Sequence, residues 1–237
     1  MIDAGERARR LSAASNPRRA QAKDSVQLAR LFAAAFASDP VFDWIARRGP
    51  KRAAGLEAFF SWLLEVRAIP YGEVWMAEDG AVASAWLPPD VPATAGRMIE
   101  QLPLLPMFLR LCGLPRIWRG AAVAEAMEKH HPVERHYYLA FLAVAPRLQG
   151  IGLGSSMLEA TLRRADMAGL PAYLENSNPK NARLYERHGF VARKNIAPKG
   201  APPLVPMWRN QKSEAGSRNY QKAAEILLDH GSSSLSQ

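Results

Sequence analysis

Apolar positions along the chain fall into alternating helical and strand periods. From Asp24 onward, Leu28, Leu31, Phe32, Ala35 and Phe36 recur at helical spacing behind an acid able to cap a helix start, and Ser38-Asp39-Pro40 ends the run. A second helix is predicted over about 52–67, with Leu56, Phe59, Phe60, Leu63 and Leu64 on one side before Pro70-Tyr71-Gly72 interrupts it. Residues 73–77 and 81–87 flank Glu78-Asp79-Gly80 and predict a hairpin with an Asp-Gly turn. Residues 93–131 read as helical pieces broken by Pro103, Pro106, Gly113 and Pro115; their large apolar side chains serve a core, a substrate-facing wall or a dimer surface. Tyr137 to Val144 is a nearly unbroken apolar run, the pattern of a central strand covered on both faces. Gly150, Gly152 and Gly154 follow, then a helix with Met157, Leu158, Leu162 and Ala165 on one face, stopped by Gly169 and Pro171. Ala172 to Glu175 predicts the next strand, and Asn178-Pro179 opens a helix that ends at Gly189. Residues 190–193 and 204–208 supply two short final strands.

This order predicts a mixed α/β (α+β) domain with antiparallel strands at its ends, spanning residues 17–209. Residues 1–16 are rich in Arg, Ala and Ser without an apolar period and are expected to be a disordered basic arm. Residues 210–237 are expected to form a polar tail, weakly helical around 223–228.

Composition narrows the class. The 237 residues are 48% hydrophobic, enough to bury a core. Of the formal charge of +9, residues 1–23 supply +4 (six basic, two acidic), 210–237 supply none, and 24–209 supply +5. An excess of that size attracts phosphates of many kinds without choosing between nucleic acid and a phosphorylated cofactor. Aromatic RNA-binding motifs and zinc-finger spacings are missing, so nucleic acid is not the expected partner. The single cysteine, Cys112, excludes an internal disulfide and a CxxC pair. His130, His131, His136 and Cys112 follow no familiar ligand spacing, so no metal is expected. With no apolar stretch approaching membrane-spanning length and no signal-type run after the N-terminal arginines, a cytoplasmic protein without membrane association is expected.

The chemistry concentrates where the central strand ends. Arg147-Leu148-Gln149-Gly150-Ile151-Gly152-Leu153-Gly154 lies between a buried strand and an amphipathic helix, where successive backbone N–H groups and the helix dipole bind phosphate and glycine permits close approach. No Lys-Ser or Lys-Thr follows Gly154, which excludes the Walker pattern, and Ser155 occupies the third glycine position of the dinucleotide fingerprint. Glu175 imitates the ribose-binding acid of that fingerprint, yet the two short strands after it are too few for a doubly wound domain.

Arg147 to Gly154 resembles the coenzyme A loop, QxxGxG or RxxGxG, of the GNAT N-acetyltransferase superfamily. Leu174 to Phe190, with Asn178-Pro179, Asn181, Tyr185 and Gly189-Phe190, is similar to that superfamily's fifth strand, Asn and Tyr helix and following turn. Val74 to Gly80 and Ala35 to Pro40 further resemble the puromycin N-acetyltransferase branch, so the similarity covers residues 17–209. The resemblance implies a mostly antiparallel sheet of about six or seven strands flanked by helices, a V-shaped cleft between strands 4 and 5, acetyl-CoA as co-substrate, and direct acetyl transfer to the primary amine of a small molecule such as an antibiotic or metabolite. It implies coenzyme contacts from Leu142, Ala143, Val144, Arg147, Gln149, Gly150, Ile151, Gly152, Leu153, Gly154, Ser155, Asn176 and Asn181, and makes Tyr185 the acid for the departing thiolate.

The proton acceptor stays open. Glu175 stands at a strand end beside the cleft, where it serves either as base or as a structural anchor. His136 shares a strand face with Tyr138, Leu142 and Val144 by alternation, which permits it to reach the amine. For Tyr185 the alternative reading is a plain core tyrosine. Other readings are a protein or peptide N-acetyltransferase, a coenzyme A sensor without turnover, and a basic nucleic-acid-binding module. Monomer and homodimer are both open.

Overall fold

The structure, a computed structural model, describes residues 2–91 and 105–211. The expected helical patch at 223–228 and the first part of the Pro-broken stretch lie outside the described residues. Among the described residues eight helices and seven strands run in the order α1 (Ala4–Ser15), β1 (Arg18–Arg19), α2 (Ser25–Ala35), α3 (Pro40–Ile45), α4 (Arg52–Trp62), β2 (Val74–Met76), β3 (Val82–Leu87), α5 (Leu105–Cys112), α6 (Ile117–His130), β4 (Tyr137–Val144), α7 (Leu153–Met167), β5 (Ala172–Asn176), α8 (Ala182–Arg187), β6 (Val191–Ala192) and β7 (Val205–Arg209). The strands form one seven-stranded sheet in the order β1-β2-β3-β4-β5-β7-β6. All neighbours are antiparallel except β4 and β5, which are parallel.

The predicted hairpin and the strand Tyr137–Val144 are present with the expected bounds within a residue. Alternation puts Ala83, Ala85, Phe141 and Ala143 against α2 and α4, whose Leu28, Phe32, Leu56 and Phe60 are fully buried. On the other face Leu139, Leu158, Leu162, Leu174 and Tyr185 pack under α7 and α8. Helix α4 does not keep its period to residue 67: after Trp62 the chain continues as a π-helical turn over Leu63–Ala68.

Two local expectations are corrected. Residues 4–15 are not a disordered arm. They form α1, capped by the Asp3 carboxylate on the Glu6 N–H, with Ala14 fully buried beside Leu153 and Met157. The short Ala and Leu side chains of α1 give it too weak a period to be legible, and its stability comes from packing on α7. Likewise, Asp24 does not cap α2. Its carboxylate accepts from both terminal nitrogens of Arg18 and from the Gln21 N–H.

Candidate active site

Strand β4 and strand β5 share only the register pairs Tyr137↔Ala172 and Tyr138↔Tyr173, although β4 runs on to Val144. Beyond Tyr138 the two strands part, and the sheet is split along that line. The Ala145 N–H donates to the Ala81 carbonyl on the β3 side. By the alternation of an antiparallel pair, the N–H groups of Leu142 and Val144 therefore face the split.

At the end of β4 the chain turns through Pro146–Leu148 into the glycine segment. Gln149 Nε2 donates to the Val144 carbonyl at 3.3 Å and closes the turn back on the strand. Gly150 and Gly152 take φ values of +82° and +104°, which side-chain-bearing residues rarely adopt. Gly152 is the N-cap of the 15-residue helix α7 and supplies no side-chain acceptor, so the first-turn amides of that helix are open to an external anion. A Cβ on Gly154 would lie 3.4 Å from Val144 Cγ2 and 3.7 Å from Leu184 Cδ2, so this glycine sets how closely α7 packs on β4 and α8. Arg147, Gln149 and Gly150 are exposed, Ile151 and Leu148 pack in the cluster under α1, and Leu153 is buried. The Ser155 hydroxyl is engaged with His188 Nε2 at 2.7 Å, and burial holds that histidine below the usual imidazole range.

Beside the split lies a cavity of about 250 Å³ whose wall contains Leu142, Glu175, Asn176, Ser177, Asn181 and Tyr185 together. Tyr185 is buried on α8, and burial first, then the Asp39 carboxylate, pushes its phenol well up from the usual value. Asn181 is exposed one helical turn earlier, at the end of a 3₁₀ turn that Asn178 caps by accepting from the Lys180 N–H. Asn176 is buried and its side-chain oxygen accepts from the Asn178 N–H. The Glu175 side chain is 1% exposed, with His131 Nδ1 3.7 Å away. The phenols of Tyr138 and Tyr173 are raised by burial first and by the Glu175 charge second.

His136 is placed apart from this wall. Its ring is buried against His131, Tyr173 and Trp208, Nδ1 meets the Glu134 carbonyl at 2.6 Å, and burial lowers its pKa. Asp39 and Ser177, which the sequence did not mark as site residues, both line the cavity. Asp39, read only as a helix end, is 4% exposed and caps α3 on the Val41 and Phe42 N–H groups, while its other oxygen accepts from the Ser177 hydroxyl. An Asp followed by Pro is also a helix start, and that signal was present in the sequence. Burial pushes the Asp39 carboxyl up from its usual range.

A sheet split between parallel β4 and β5, with a glycine turn opening a helix at its end, agrees with a match of residues 110–190 to the model of the acetyltransferase (GNAT) family. The chain has the GNAT fold. A Corynebacterium glutamicum structure described as histone acetyltransferase HPA2 and related acetyltransferase superposes with TM-score 0.64 at 24% identity, covering 83% of this chain and 96% of its own. Arylalkylamine N-acetyltransferase 2 of Aedes aegypti gives TM-score 0.56 at 14% identity over 83% of this chain and 98% of its own. The polyamine N-acetyltransferase of Drosophila melanogaster gives 0.55 at 17% over 82% and 98%. At such identities the likeness establishes the GNAT fold. In sequence, an uncharacterized N-acetyltransferase of Schizosaccharomyces pombe is 29% identical over 107 residues, 44% of this chain and 43% of that protein. The chain thus matches less than half the length of that curated relative. No helix among the described residues is long and apolar enough to cross a membrane.

Proposed function

We propose that this chain is an acetyl-CoA-dependent N-acetyltransferase that acylates the primary amine of a small molecule directly. The observation that carries the reading is the cavity beside the β4/β5 split, where Leu142 of β4, Glu175 of β5 and Asn181 and Tyr185 of the α8 region share one wall, next to the glycine turn. The donor set fits the coenzyme: open first-turn amides of α7, an exposed Arg147 and Gln149, and glycines at 150 and 152 that leave the backbone approachable. The resemblance of Val74 to Gly80 and Ala35 to Pro40 supports a place near the puromycin N-acetyltransferase branch.

Acetyl-CoA when bound supplies the activated acyl group. Residues 147–154 and the α7 N-terminus hold its diphosphate, and Asn181 contacts it from the opposite side of the split. The Leu142 and Val144 N–H groups, directed into the split, stabilise negative charge on a carbonyl oxygen placed there. Glu175 takes the amine proton on a carboxylate oxygen, and Tyr185, kept protonated by burial, donates its phenolic proton to the departing sulfur. His136 supports Glu175 from behind through the ring of His131 rather than meeting the amine.

The test is release of free CoA from acetyl-CoA over a panel of amines, with calorimetry for acetyl-CoA binding. Turnover on a small amine supports the reading. Acetyl-CoA binding with turnover on peptide N-termini alone moves the assignment to a peptide acetyltransferase, and no binding at all sinks it. A nucleic-acid module is disfavoured by the folded N-terminus, in which Arg10 and Arg18 are already paired with Glu6, Asp79, Asp24 and Glu78.

A further inference from the structure

The far wall of the cavity carries information about the acceptor that the reaction alone does not. Phe36 at the C-cap of α2, Phe59 and Trp62 of α4, Phe108 of α5 and Phe141 of β4 all stay partly exposed, although Phe32, Phe60 and Leu111 beside them are fully buried. All five line the cavity, so that surface is turned to it. Four of the rings hold one another, Phe36 to Phe141 at 5.3 Å and Phe59 to Phe141 at 6.3 Å edge-on, and Phe59 to Trp62 at 6.4 Å tilted. A wall fixed in this way before a ligand arrives offers an apolar site at little ordering cost.

The charges sort the acceptor further. Of the buried acids, Asp39 has its oxygens taken by Val41, Phe42 and Ser177. Glu175 lies 3.7 Å from His131 Nδ1 and beside the phenols of Tyr138 and Tyr173, and its side chain is withdrawn from water. The cavity therefore has one buried carboxylate to meet one ammonium. Besides these two acids, the lining holds among the described residues only Arg67 and the exposed Glu128 as charged groups, so a second ammonium held deep in the cavity finds no second buried carboxylate unless it takes Asp39 from Ser177. Leaving a charge there unpaired is costly.

We infer that the acceptor is a monoamine with an apolar, aromatic or branched body, its nitrogen at Glu175 and its body among Phe36, Phe59, Trp62, Phe108 and Phe141. This deepens the proposed function and rests on it. Spermidine, which has no aromatic or branched body to fill that wall, is expected to be a poorer substrate.

The full chain is assayed for CoA release with 2-phenylethylamine, ethylamine, spermidine and a free amino acid, alongside calorimetry with acetyl-CoA. The expected result is kcat/KM for 2-phenylethylamine at least about tenfold above that for ethylamine or spermidine, the scale a hydrophobic pocket reaches when apolar groups are missing. Trp62→Gln and Phe141→Leu should each raise KM for 2-phenylethylamine about tenfold and change ethylamine by less than about threefold. Thermal melting identifies a variant that has lost its fold, and the half-buried Trp62 site then decides. Preference for spermidine or the amino acid overturns the inference, as does equal loss with both monoamines. Acetyl-CoA binding without turnover on any monoamine overturns it while leaving the coenzyme site standing, whereas failure to bind acetyl-CoA sinks the reading beneath it.

Discussion

At the scale of single residues, Tyr185 is the most exacting test of the mechanism. Its burial keeps the phenol protonated through the physiological range, as a proton donor to sulfur requires. Tyr185→Phe should keep the packing against Phe190 and the acetyl-CoA affinity while lowering kcat by about 10² to 10⁴. Activity within about threefold of the parent would make Tyr185 a packing residue. Asp24 offers a test of stability. The Arg18 guanidinium holds its carboxyl down at about 2, against 3.8 for an unperturbed aspartate. A depressed pKa means that this contribution is present above about pH 4 and is lost as pH falls towards about 2. Asp24→Asn should therefore lower stability at neutral pH and flatten the acid limb of a denaturation series, and an unchanged limb would refute the coupling. Tyr185 and Glu175 were legible because a motif surrounds them. Asp39 was not, since its closeness to Ser177, 138 positions along the chain, exists only after folding.

At the scale of elements, α1 overturns an expectation. A polar, Arg-rich segment read as a dispensable arm is a helix laid on α7 and on the glycine turn. Leu11 Cδ2 lies 3.3 Å from where a Cβ on Gly152 would sit, and Arg7 Nε lies 3.4 Å from the Ile151 carbonyl. Removing residues 2–16 uncovers Leu153 and Met157, each worth roughly 1.5–3 kcal/mol when fully buried. The expected outcome is a melting temperature lower by several degrees and at least about fivefold weaker acetyl-CoA binding, read by thermal unfolding and calorimetry. Unaltered values in both would show α1 to be an appendage after all. For the same reason Gly152→Val is a compound change, because its φ of +104° and the Leu11 contact both resist a side chain.

At the scale of the whole molecule, the two sides of the split have to be held in register for the site to exist. Arg209 on β7 meets Asp166 on α7 through two bonds, 2.7 and 3.0 Å, with both side chains nearly dry. Asp166→Ala leaves a buried guanidinium and should cost about 3–5 kcal/mol in denaturant unfolding, and a loss below about 1 kcal/mol would mean that the pair is solvated. By itself, the sequence determined the strand Tyr137–Val144, the hairpin before it, the glycine turn, and the segment carrying Asn181 and Tyr185, though not its division into a 3₁₀ turn and the short helix α8. Each of these is written in contiguous residues, through apolar period, glycine conformation or capping chemistry. Tertiary structure alone decided that α1 belongs to the fold, that Asp39 and Ser177 meet, and that His136 turns away from the cavity. It also decided that rings from α2, α4, α5 and β4 face one chamber. These depend on contacts between distant segments, where the same phenylalanine pattern serves a filled core or an open wall, and only the divergence of β4 from β5 separates the two.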